Sequence, residues 1–134
     1  MKKRMKKNKL IIATICVILI VVLMYLFILP VYVMDRIKKA NYMDVWYGEI
    51  RYQTGDVEDI SALLDNICIP KWKRIWTTDV QRLGLPDAYI TVNRKYNMDF
   101  WIEEEECFIK VYFQSSNFEI ASYHTNTFQF NMLP

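Results

Sequence analysis

Residues that carry catalytic or metal chemistry are scarce in this chain. One histidine, His124, and three cysteines are spread over 134 residues. That leaves little material for a metal centre or a nucleophile–base pair, and neither a CxxC nor a zinc-type spacing occurs. Glycine appears only three times, which excludes a Gly-rich phosphate loop and the G-x-S-x-G elbow of a hydrolase. Acidic pairs suited to hydrolysis exist, as they do in every protein of this size. The reading is therefore not an enzyme, and no cofactor or metal is called for.

Acidic residues are also missing from the first 29 positions. The stretch 1–9 carries six basic residues and no acid, whereas from Pro30 onward eleven Lys/Arg face fifteen Asp/Glu, a formal balance of 11 − 15 = −4. The overall charge of +2 thus averages a basic tail and an acidic remainder. It gives no support to nucleic-acid binding, which needs clustered positive charge on a folded surface.

Between the two lies Leu10 to Leu29, 20 residues without charge, Gly or Pro. As a helix it would be about 30 Å long, the thickness of a bilayer's hydrocarbon core. Six basic residues before it and three after it (Arg36, Lys38, Lys39) predict a cytoplasmic N-terminus and an outer C-terminal part. A cleaved signal peptide would have a shorter apolar region ending in small residues. This run instead leaves through Phe27-Ile28-Leu29-Pro30-Val31, which predicts an uncleaved anchor. Cys16 lies early in the run behind bulky Ile15, where lipoprotein acylation would not place it. The expected organisation is a tail over 1–9, a transmembrane helix over 10–29, a stalk over 30–43 opened by a kink or stop at Pro30, and an outer domain over 44–134. The expected location is the plasma membrane, in a single pass.

The outer part reads as α+β, with one helix packed on a mainly antiparallel sheet of five or six strands. Residues 45–53 alternate as one strand, Trp46, Gly48, Ile50 and Tyr52 on one side and Tyr47, Glu49 and Arg51 on the other. After Thr54-Gly55, Asp56 suits a helix N-cap, and Val57, Ile60, Leu63, Leu64 and Ile67 share one helical face up to Pro70. Strand patterns follow at 71–76, 89–93, 98–102, 107–113 and 118–123, with a weaker one at 127–131. Their short connections imply antiparallel pairing.

The residues Gly55-Asp56-Val57-Glu58-Asp59-Ile60, then Leu63-Leu64, then Lys71 to Trp76 make this order similar to a known group. It resembles uncharacterised extracytoplasmic domains of membrane-anchored proteins and lipoproteins of Gram-positive bacteria. The resemblance covers the first half of the outer domain. Such domains have no assigned activity, so it implies no functional residue.

Alternation places Ile50, Ile90, Val92, Phe100, Ile109, Val111 and Phe113 under the helix. Tyr47, Arg51, Tyr89, Trp101, Phe108, Lys110 and Tyr112 then lie on the opposite face. Ordinary cross-strand pairing accounts for such rings; a binding face built on Tyr47, Tyr89, Trp101 and Tyr112 is the functional alternative, and a sheet edge is another. Glu103 to Glu106 reads as a solvated hairpin tip rather than a Ca²⁺ site, since consecutive carboxylates do not converge on one ion. Cys68 and Cys107 are either a disulfide or two buried thiols. Lys71-Trp72-Lys73-Arg74 reads as a strand with buried Trp72 and Trp76, or as a contact for anionic headgroups or wall polymers. The function expected is a membrane-anchored extracytoplasmic interaction or sensing domain. The alternative is a small immunity or accessory subunit of a membrane complex. The implied partners are the lipid bilayer and a protein or cell-envelope ligand, with no nucleic acid.

Overall fold

The computed structural model describes residues 2–76, 84–116 and 118–126. One helix runs from the basic tail into the folded domain. It comprises α1 (Lys2–Leu23), a π-helical turn (Met24–Ile28) and α2 (Leu29–Lys38). From Arg4 to Lys38 it is long and apolar enough to cross a membrane. Pro30 does not stop it. In a regular α-helix the N–H of residue 30 would bond to the Leu26 carbonyl, but proline lacks that donor and its ring crowds that oxygen. The helix widens into the π-turn just ahead of the proline, and the Arg74 guanidinium donates to the Leu26 carbonyl. The segment expected as a stalk is therefore part of the domain, with Pro30, Val33, Met34 and Ile37 buried.

The remainder is β1 (Met43–Tyr47), β2 (Ile50–Thr54), α3 (Val57–Ile67), a 3₁₀ turn (Ile69–Lys71), β3 (Lys73–Ile75), β4 (Ala88–Val92), β5 (Tyr96–Glu103), β6 (Glu106–Phe113) and β7 (Glu119–Thr125). All seven strands join one sheet in the order β2-β1-β4-β5-β6-β7-β3, antiparallel throughout. The fold is α+β as expected, with one strand more among the described residues than the upper count. The expected strand at 127–131 lies outside the described residues. The stretch 45–53 is not one strand but a hairpin, in which Tyr47 pairs with Ile50 across Gly48-Glu49. Gly48 has φ +60°, the left-handed conformation that a two-residue hairpin turn requires of its first residue.

Asp56 caps α3 as its sequence suggests, its carboxylate accepting from the backbone N–H of Glu58 at 2.8 Å and of Asp59 at 3.4 Å. Ile60, Leu63 and Ile67 are buried beneath it, while Val57, assigned to the same face, is 80% exposed. Among the described residues two helices, not one, cover the sheet, because α2 and α3 pack into a single core with the inward strand residues. That core is built in rows across the sheet. One row runs Val45, Ile90, Met98, Val111 and Ala121. A bulge between Val111 and Tyr112 leaves Ile120 without a facing residue, and it too is buried.

The helix crosses the strands rather than following them. Tyr25, Leu26 and Phe27 touch β7 and the β3 end, whereas the backbone N–H groups of Asn41 and Tyr42, beyond the helix, donate to Asn93 between β4 and β5. The rise from Tyr25 to Ile37 is about 18 Å, close to the roughly 19 Å from β7 to β1 at four strand spacings. β3 and β7 therefore lie beside the apolar helix, and β1 and β2 lie farthest from it.

Candidate functional site

Both helices lie on one side of the sheet, so the other side is where surface chemistry collects. The register builds it in rows. Arg51, Trp46, Tyr89, Asp99, Lys110 and Ser122 form one row across six strands. At its β2–β1–β4 end three flat groups stack. The Arg51 guanidinium sits 4.6 Å from the centre of the Trp46 ring, and the Trp46 and Tyr89 rings are 5.6 Å apart and 18° from parallel. Asp44 fixes the arginine. Arg51 Nη2 donates to Oδ2 at 3.0 Å and Nε to Oδ1 at 3.3 Å, a bidentate fork, while Gln53 Nε2 donates to Oδ2 at 3.3 Å. Partial burial works to raise the Asp44 pKa, but the Arg51 and Gln53 hydrogen bonds and the arginine charge outweigh it. The carboxyl is held below its usual range.

Toward the middle of the sheet the face becomes drier. The Tyr112 hydroxyl donates to Asp99 Oδ1 at 3.0 Å, and Lys110 lies 5.6 Å from the Tyr112 ring centre. Burial, reinforced by the neighbouring Asp99 carboxylate, pushes the Tyr112 hydroxyl up to about 12. Burial raises Asp99 as well, against the opposing pull of Tyr112 and Lys110. Phe108 and His124 rings pack 5.1 Å apart, with His124 Nε2 3.8 Å from Glu106 Oε1. Among the described residues no group of three or more His, Cys, Asp or Glu side chains is placed to hold a metal.

Of the four residues singled out in the sequence, Tyr89, Trp101 and Tyr112 stand on this face. Tyr47 does not. The hairpin at Gly48 puts it on the same side as Val45, at the rim of the helix-covered face. Trp101 is on the expected face but not free: it is only 7% exposed, and its indole N–H donates to the Gly84 carbonyl at 3.0 Å. The segment over it is fastened by Asp87, whose Oδ2 accepts from the Ile102 N–H at 2.7 Å. Trp46 stands on the face opposite to the one that a single strand over 45–53 would give it, and Asp44, just before that run, stands there with it. The signal that would have found them is the Gly-x pair between mirrored runs, Val45-Trp46-Tyr47 and Ile50-Arg51-Tyr52.

Other expectations resolve simply. Glu104-Glu105 form the turn of the β5–β6 hairpin, so the acidic run is its tip. Cys16, Cys68 and Cys107 are free thiols. Burial, with a smaller push from Asp87, raises the Cys107 thiol to about 12. Trp72 is half-buried against Phe100 and Tyr123, but Trp76 is exposed. The chain matches no protein-family model, no curated protein and no solved structure.

Proposed function

We propose that this protein is a single-pass, membrane-anchored interaction module with a cytoplasmic N-terminus and an extracytoplasmic domain, and that it binds a protein partner through the Arg51–Trp46–Tyr89 end of the open sheet face. The observation that carries the reading is the stack itself. Trp, Tyr and Arg are the residues that dominate binding energy at protein interfaces. Here they are pre-stacked, and the arginine is locked by Asp44, so little side-chain freedom remains to be lost on binding. The location supports it too. β1 and β2 lie at the end of the sheet farthest from the apolar helix, where a partner has unhindered approach, and β2 is an edge strand beside the stack. The role is binding rather than catalysis, in keeping with the scarcity of histidine and cysteine in the chain.

The test places a photoreactive benzoyl-phenylalanine at Tyr89 in the full chain in its native membrane. The expected result is one discrete, protein-containing adduct that disappears when Trp46→Ala is added. The same label at Val57, exposed on the helix side, should give none. Equal labelling at the two positions, or none at Tyr89, would contradict the reading. An adduct composed of glycan would replace the protein partner with an envelope polymer.

A further inference from the structure

The apolar helix is free on all sides only as far as Met24. Every described residue from Arg4 to Met24 is exposed, and from Tyr25 onward one side is occupied by the domain. The Tyr25 hydroxyl donates to the Glu119 carbonyl at 2.6 Å and its ring lies 5.3 Å from Phe118, while Phe27 lies 5.7 Å from Trp76. Leu10 to Met24 measures only about 22 Å as a helix, against a hydrocarbon core of about 30 Å. The missing length falls on the next turn and a half, which already has the domain beside it.

What stands at that level is suited to lipid. Phe27, Ile28, Trp76 and Phe118 are each half-exposed or more, and amphipathic or aromatic rings of this kind concentrate at the membrane–water boundary. Arg74, the cation packed beside these rings among the described residues, is not left bare. Its guanidinium donates to the Leu26 carbonyl and lies 4.0 Å from the Trp76 ring centre. That contact also satisfies a helix carbonyl that would be costly to leave unpaired at membrane depth.

We infer that the β3–β7 end of the domain is itself a membrane-contacting surface, seated in the interfacial layer of the bilayer through Phe27, Ile28, Trp76 and Phe118, so that the domain is fixed edge-on to the lipid rather than tethered above it. This rests on the anchoring reading. The occupant is the bilayer because the surface is continuous with the apolar helix and supplies the length that helix lacks.

The experiment uses the full chain in phosphatidylcholine vesicles, floated on a density gradient, with tryptophan emission read in plain lipid and in lipid brominated at the 6,7 or the 11,12 acyl positions. Floated protein should be quenched more by the shallow bromines than by the deep ones. The loss should be partial, since Trp76 is one of the chain's four tryptophans. Trp76→Phe should abolish that loss, and Trp46→Phe, at the far end of the sheet, should leave it in place. Floated wild-type protein that neither bromine position quenches, or quenching identical in wild type and Trp76→Phe, would overturn the inference while leaving the anchor intact. Protein that fails to float would sink the anchoring reading and this inference with it.

Discussion

Arg74 shows how much one side chain can hold together in this fold. It closes the gap that Pro30 opens in the helix, joins edge strand β3 to that helix, and stacks on Trp76. Arg74→Ala should therefore cost about 1–3 kcal/mol, the range for leaving a shielded carbonyl unpaired, read by denaturant unfolding of the full chain in detergent micelles. In a Pro30→Ala background, where residue 30 regains its N–H, the same substitution should cost clearly less. Equal costs in the two backgrounds would show that the arginine acts through something other than the Leu26 carbonyl. A second residue-scale expectation concerns alkali. Cys107 and Tyr112 are acids whose folded pKa values, about 12 for each, lie above the ordinary 9.0 and 10.0. Between those values the folded state holds more protons than the unfolded one, so stability falls as pH rises through the window from about 9 to 12. The melting temperature should drop across that range, and Cys107→Ala should flatten the part that begins near pH 9. A melting temperature that stays level up to pH 12 would show that neither group is shielded as the structure places it.

At the scale of elements, α3 is the piece most completely written in local sequence. Its cap, its acidic first turn and its apolar stripe all point the same way, and Asp56→Ala should remove about 1 kcal/mol of stability in thermal or chemical denaturation of the full chain; a loss below a few tenths would mean the cap is redundant. Strands β4 to β7 were legible for a similar reason, since each alternates cleanly and is bounded by polar turns. Two elements were not legible. Pro30 reads as a stop because what lets the helix continue is a widened turn and an arginine from a strand far along the chain, and no local rule contains that partner. The β1–β2 hairpin hides because Trp46 and Tyr47 are both aromatic, so either register looks plausible until Gly48 is recognised as the turn. A slip of one residue exchanges the faces, and that alone moved Tyr47 out of the candidate site and Trp46 into it. Trp101 was placed on the correct face, but its burial depends on the loop at Gly84 and Asp87, whose position alternation does not reveal.

For the whole molecule, the helix and sheet together define an axis. The strands are laid across the helix, so the sheet extends outward from β3 beside the apolar segment to β2 at the far edge, and the Arg51–Trp46–Tyr89 stack is carried at the outer end. A continuous helix packed against its own domain, rather than a flexible linker, joins the apolar segment to the sheet that carries that stack. The proposed binding role depends on which side of the membrane that outer end occupies. The most direct test is labelling of intact cells with a membrane-impermeant maleimide. One reactive cysteine is placed at Val57→Cys in the domain or at Lys6→Cys in the basic tail, with Cys16 and Cys68 replaced by serine and Cys107 left in place, fully buried and with its thiol held protonated. With the domain outside and the tail in the cytoplasm, the cysteine at position 57 should react in intact cells and the one at position 6 only after the cells are permeabilised. The reverse pattern, or protection of both until permeabilisation, would contradict that arrangement.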